Sequence, residues 1–79
     1  MNNNSAENME PPWAKFPRLE RNSVGWRMGP PEIYYDKFYQ WFSALSENAA
    51  EKYSKQNPPP VEWRDFYDLI RENPWVTGN

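Results

Sequence analysis

The first helical stretch of the chain repeats large apolar residues at the spacing of one helix face. The apolar positions recur at i, i+4, i+7 and i+11 in Tyr34, Phe38, Trp41 and Leu45. This spacing predicts an amphipathic helix over residues 31–45, and the proline at its start suits a first helical turn. Neighbouring rings widen the apolar arc to roughly 160°, beyond the ~100° stripe of an ordinary surface helix.

Two shorter helices are predicted after it. Residues 47–56 follow Ser46, whose hydroxyl can cap a helix, and they end before a run of three prolines. Residues 60–72 carry a compact apolar stripe at i, i+3, i+4 and i+7, formed by Trp63, Phe66, Tyr67 and Ile70. The predicted core combines these stripes: Tyr34, Phe38, Trp41, Phe42, Leu45, Tyr53, Trp63, Phe66, Tyr67 and Ile70.

The segment before these helices has a different composition. Residues 11–31 hold five of the nine prolines and two of the three glycines, which forbids a long helix. The segment is also rich in apolar and aromatic residues, so we interpret residues 11–30 as an extended arm packed on the helices. Trp26 is predicted to fill a gap between the first and third helices. Polar residues 1–10 are expected to be a disordered tail.

The predicted architecture is therefore all-α: a small three-helix domain with an extended Pro-rich N-terminal arm packed on it. The helical domain covers residues 31–76, and residues 77–79 form a short tail. At 79 residues the chain is one domain at most, of a size at which a single core is marginal. Cysteine is absent, so no disulfide supports the fold, and the aromatic content of 18% is the expected source of buried area.

Charge is divided unevenly between the arm and the helices. Residues 11–30 carry four basic residues against one acid, whereas residues 31–79 carry five against eight. A basic arm thus precedes an acidic body, within a net charge of −2. The simplest consequence is that the arm lies back on the body, and the alternative is that it reaches an acidic partner.

The types of residue present in the chain exclude several kinds of catalytic and metal-binding site. Histidine and cysteine are both absent, which removes the usual transition-metal ligands, the common nucleophile pairs and the commonest general base near neutral pH. No phosphate-binding loop is present, and the acids of the third predicted helix are interpreted as a solvated face. We therefore expect no enzyme activity, no catalytic residue, no metal and no cofactor.

The chain has no long apolar run, and its first residues show neither the basic nor the apolar region of a signal peptide. We therefore expect no secretory leader, a cytoplasmic location and no contact with membranes. Trp, Tyr and Arg are enriched at the centres of protein interfaces. We therefore predict a non-catalytic protein-protein interaction module: a small adaptor, inhibitor or accessory subunit binding through the arm and the adjacent helix surface. The predicted partner-binding residues are Trp13, Arg18, Arg21, Trp26 and Arg27.

Two alternatives stay open. Bases interleaved with aromatic rings are typical of single-stranded nucleic-acid binding, because rings stack on bases while cations follow phosphates. The same arm could serve that purpose, although its basic footprint is small. A homodimer that closes over the spare aromatic face of the first helix is the second alternative.

Overall fold

The computed structural model describes residues 8–75, and within them the chain is helical with no strand. The predicted all-α class is confirmed. The described part of the chain contains four α-helices: α1 (Pro12–Lys15), α2 (Gly29–Ser43), α3 (Glu47–Gln56) and α4 (Phe66–Glu72). Two short 3₁₀ helices, Val24–Arg27 and Val61–Trp63, precede α2 and α4. The tails predicted at 1–10 and 77–79 lie largely outside the described residues.

Helix α3 has the bounds that the sequence predicts. The Ser46 hydroxyl accepts a hydrogen bond of 3.1 Å from the Ala49 backbone N–H, which satisfies one free donor of the first turn. At the other end, the Asn57 side-chain amide donates to the Tyr53 carbonyl at 3.2 Å. Local sequence therefore defines both ends of this helix.

Helix α2 lies two residues earlier than predicted, at Gly29–Ser43 instead of 31–45. Gly29 has a φ of +70°, a conformation that favours glycine, and it turns the chain into the helix just before the two prolines. Leu45 falls in the turn that follows, because Ser46 must adopt an extended backbone to cap α3. The shift moves the boundaries but leaves the apolar face in place.

The third predicted helix, 60–72, is divided in two. After Pro60 the chain makes a single 3₁₀ turn, in which the Trp63 N–H donates to the Pro60 carbonyl at 2.8 Å. Asp65 then leaves helical geometry, with φ −92° and ψ 1°, before α4 begins. The prediction of one continuous helix was wrong, and the Glu62 carbonyl of this turn accepts a hydrogen bond from outside the helix, as described below.

The arm is not extended throughout. Pro11 and Pro12 start the single turn of α1, in which the Phe16 N–H donates to the Pro12 carbonyl at 2.9 Å. The contact with the body also begins before residue 11. The Tyr53 hydroxyl donates to the Met9 carbonyl, and Met9 packs against the core. The expected packing of the arm on the helices is therefore present, and it extends two residues further.

The core lies where the helices and the arm meet, and it is almost entirely aromatic. Its buried apolar residues are Trp26, Phe38, Phe42, Ala50, Tyr53, Trp63, Phe66, Tyr67 and Ile70. Seven of the ten predicted core residues are in this set, and Tyr34, Trp41 and Leu45 pack at its edge, half-buried. The predicted position of Trp26 is confirmed, since its ring lies between Tyr35 of α2 and Trp63 of the second 3₁₀ helix.

Candidate functional site

Trp13 packs against the face formed by α4 and the turn before it. Its ring centroid lies 5.4 Å from that of Trp63, 5.7 Å from Tyr67 and 6.1 Å from Phe66. Such tilted and edge-on pairs are the favoured geometries of aromatic rings. Trp13 was predicted to contact a partner, but in this structure its half-buried ring covers one side of the core.

Arg21 fastens the middle of the arm to the body. Its Nη1 donates to the Glu62 carbonyl at 3.0 Å and to Asp65 Oδ1 at 2.8 Å. The guanidinium carbon also lies 5.0 Å from the centre of the Trp63 ring, within cation–π range. The Arg21 hydrogen bond lowers the pKa of the Asp65 carboxyl below its ordinary value of 3.8. Arg21 thus holds the basic arm against the acidic body, and Lys15 also contacts the body, with its Nζ 5.5 Å from the centre of the Tyr34 ring.

These contacts also account for the divided third helix. A carbonyl in a continuous α-helix accepts from the N–H four residues later, but the Glu62 carbonyl accepts from Arg21 instead. The break at Asp65 presents its carboxylate to the same guanidinium. Sequence reasoning missed this site because Arg21 and its partners are 41 and 44 residues apart.

Trp26 is the best-enclosed arm residue among those predicted to bind a partner. Only 8% of it is exposed, and its indole N–H donates to the Glu20 carbonyl at 2.9 Å. The ring meets Phe16 and Trp63 edge-on, at 5.8 Å and 5.5 Å between centroids. Its polar atom is satisfied and most of its ring is covered, so its side chain is part of the core.

Arg18 and Arg27, by contrast, are exposed. Within residues 8–75 neither guanidinium has a carboxylate within 4.0 Å. Arg27 directly follows the buried Trp26, so its backbone is held while its side chain extends outward. The five predicted residues are thus divided: Trp13, Arg21 and Trp26 converge on Trp63, whereas Arg18 and Arg27 stay free.

Close to Arg27 in the chain, the structure exposes apolar side chains that the sequence did not single out. Val24 is 65% exposed, Met28 58% and Ile33 57%, all three within ten residues of one another in the chain. We call Val24, Arg27, Met28 and Ile33 the Arg27 surface. A signal existed in the sequence, because Ile33 lies off the main apolar stripe of its helix, but Val24 and Met28 are in a segment without periodicity.

A cleft of about 350 Å³ opens between the arm and α2. Its walls are formed by Arg21, Asn22, Ser23, Trp26 and Arg27 from the arm and by Glu32, Tyr35 and Asp36 from α2. Arg27 and the two acids therefore line one depression, with two aromatic rings beside them. Such a cleft can bind charged and aromatic groups. Within residues 8–75 no three acidic side chains form a group that could hold a metal ion.

Buried tyrosines serve as structural anchors. The Tyr53 hydroxyl donates to the Met9 carbonyl, and the Tyr67 hydroxyl donates to the Asn57 carbonyl at 2.7 Å. Burial strongly raises the pKa of both phenols, so both stay protonated and donating at neutral pH. Neither hydroxyl is suited to accept a proton in acid–base chemistry.

No family model matches this chain, and neither a curated protein nor a solved structure shows significant similarity to it. Within residues 8–75 no helix is long and apolar enough to cross a membrane.

Proposed function

We propose that this protein is a non-catalytic protein-protein interaction module, and that it binds through the Arg27 surface. The observation that carries the proposal is the exposure of Val24, Met28 and Ile33, each more than half exposed, in the same stretch of chain as a guanidinium that has no carboxylate within 4.0 Å among residues 8–75. Met and Arg are among the residues enriched in the cores of protein interfaces. An adaptor, an inhibitor and an accessory subunit all fit this role.

The backbone that carries the Arg27 surface is held in place by contacts with the core. Ser23 caps the 3₁₀ turn by accepting a 3.0 Å hydrogen bond from the Gly25 N–H, and Trp26 fixes the same turn to the core. A surface presented on a fixed backbone loses less conformational entropy on binding than a mobile loop. This support gives Trp13, Arg21 and Trp26 a positioning role beneath Arg27, in place of the direct contacts predicted for them.

No observation favours the single-stranded nucleic-acid alternative. The rings of Trp13, Phe16 and Trp26 pack against the body, so in this conformation they do not offer the stacking platform that base binding needs. The arm's remaining exposed cations are few. The cytoplasmic location stays a prediction from the sequence.

The test is a comparison of two matched double variants of the full chain. Arg27→Ala/Met28→Ser removes a cation and an apolar side chain from the Arg27 surface. Val61→Ser/Arg64→Ala removes the same types of group from another exposed site. Each affinity-tagged variant is used to capture proteins from a lysate of the source cells, with quantitative mass spectrometry as the measurement.

We expect that the unmodified chain and the control variant capture the same proteins. The amount of these proteins captured by the Arg27→Ala/Met28→Ser variant should be at least tenfold lower. Equal retention by both variants would show that binding occurs elsewhere on the molecule. The absence of any retained protein would contradict an interaction function. Circular dichroism of each variant confirms that the comparison is between folded proteins.

A further inference from the structure

The cleft between the arm and α2 carries opposite charges on its two walls. Arg27 belongs to the arm wall, and Glu32 and Asp36 belong to the α2 wall one helical turn apart. Within residues 8–75, none of these three side chains has an opposite charge within 4.0 Å. The fourth charged residue of the cleft, Arg21, is already paired with Asp65 at 2.8 Å. Both signs are therefore available to a partner.

Unpaired charges of both signs in one place restrict the kind of partner. A uniformly acidic partner would meet Glu32 and Asp36, and a uniformly basic one would meet Arg27, so either would bring like charges together. The suitable partner presents an acid opposite Arg27 and a base opposite the two carboxylates. It must also offer apolar groups to Met28 and Ile33.

A second copy of this chain meets every one of these conditions. In a two-fold interface the same patch faces itself, so a patch that carries both signs and apolar residues can be complementary to itself. We infer that the chain forms a symmetric dimer through the Arg27 surface and the α2 wall of the cleft. Arg27 of each copy pairs with Glu32 and Asp36 of the other, while Met28 and Ile33 pack between the pairs.

This inference depends on the proposed function and names its partner. It also differs from a dimer over the spare aromatic face of the first helix, the arrangement considered from the sequence. That face is occupied in the structure: Tyr34 packs on Phe16, and Trp41 packs on Phe38 and Tyr53. Among the described residues, the large apolar side chains in or directly before α2 that are more than half exposed, Met28 and Ile33, lie at its N-terminal end.

The test uses two charge reversals of exposed residues, Arg27→Glu and Glu32→Lys, in the full chain. Sedimentation equilibrium measures the dimer dissociation constant of the unmodified chain, of each variant, and of an equimolar mixture of the two. Each reversal places like charges at both symmetric positions, so we expect each variant alone to dimerise roughly tenfold more weakly or worse. In the heterodimer of the mixture, the Arg27→Glu side chain faces the Glu32→Lys side chain as well as Asp36, while the unmodified Arg27 of the other copy keeps both of its acids. One of the two symmetric contacts is therefore native and the other regains an opposite charge, so we expect affinity restored to within about tenfold of the unmodified chain.

Restoration in the mixture is a result that only cross-pairing of these two positions produces. A chain that stays monomeric at millimolar concentration overturns the inference, as does a dimer whose affinity neither reversal changes. The results distinguish a failure of the proposed dimer from a failure of the proposed interaction function. A monomeric chain that still captures another protein through Arg27 and Met28 retains the proposed function with a different partner, whereas a monomer that captures nothing loses both. Circular dichroism establishes that each charge variant is folded.

Discussion

Trp26 and Arg27 are adjacent in the chain, yet they belong to two different parts of the molecule. Trp26 is 8% exposed and has its ring in the core, whereas Arg27 is exposed and has no ionic partner within residues 8–75. The same division runs through the whole arm. Trp13 and Arg21 face inward with Trp26, and Val24 and Met28 face outward with Arg27. One short segment therefore stabilises the fold with one side and presents a surface with the other.

This difference explains how a chain without disulfides maintains an irregular segment in one shape. A small core contributes only a few kcal/mol of net stability, and the arm supplies some of the largest rings in it. The outward residues need no contacts of their own, because their backbone is fixed by their inward neighbours. Substitutions on the two sides should therefore have very different effects on stability and binding.

The largest effect is expected for Trp26→Ala. Removing a buried tryptophan costs about 3–5 kcal/mol, comparable to the whole stability of a domain of this size. The variant should be largely unfolded at 25 °C, as measured by urea denaturation followed by circular dichroism. Trp75→Ala, at a ring that is 39% exposed, is the control and should lose much less stability. Equal losses in the two variants would mean that the arm is not part of the core.

The regular parts of this fold could be predicted because their signals are local. Helix α3 has its Ser46 cap and its proline stop within the segment itself, and its predicted bounds match those observed. The apolar stripes identified most of the core for the same reason. The spacing of large apolar residues along a helix determines which face packs inward.

What could not be predicted depends on residues distant in the sequence. Arg21 divides the third helix through Glu62 and Asp65, more than 40 positions away, and no local pattern indicates that pairing. The residues of the candidate site also depend on contacts between distant parts of the sequence. Residue type marked Trp13, Trp26 and Arg27 alike as interface residues. Trp26 was also predicted to fill a gap between two helices, but only the packing shows that Trp13 covers the core while Arg27 is exposed. The exposure of Val24 and Met28 likewise follows from how the neighbouring Trp26 is placed.

A smaller effect is expected for Arg21→Met, which keeps an apolar stem but removes the hydrogen bonds and the charge over Trp63. We expect a loss of about 1–2 kcal/mol in the free energy of unfolding at pH 7. Arg18→Met, at an exposed arm position, is the matched control and should change little. Similar losses of unfolding free energy in both variants would show that Arg21 does not anchor the arm.

The effect of Arg21→Met should also depend on pH, with a sign that the structure determines. Arg21 lowers the pKa of Asp65 below its ordinary value of 3.8. The ion pair therefore stabilises the fold fully above that value and is lost as the pH falls through the lowered pKa. The difference between the unmodified chain and Arg21→Met should shrink between pH 7 and pH 2, without vanishing, because the Glu62 hydrogen bond persists. A constant difference would show that the ion pair contributes nothing.

The smallest effect on stability is expected for Arg27→Ala/Met28→Ser. These two residues directly follow Trp26, whose substitution is expected to have the largest effect. Both side chains are exposed, so the free energy of unfolding should change by less than about 0.5 kcal/mol in urea denaturation. Together with a loss of binding, this result would separate the outward side of the arm from the inward one. A loss of stability above about 1 kcal/mol would instead show that both sides support the fold, because a surface reserved for a partner contributes little to the free chain.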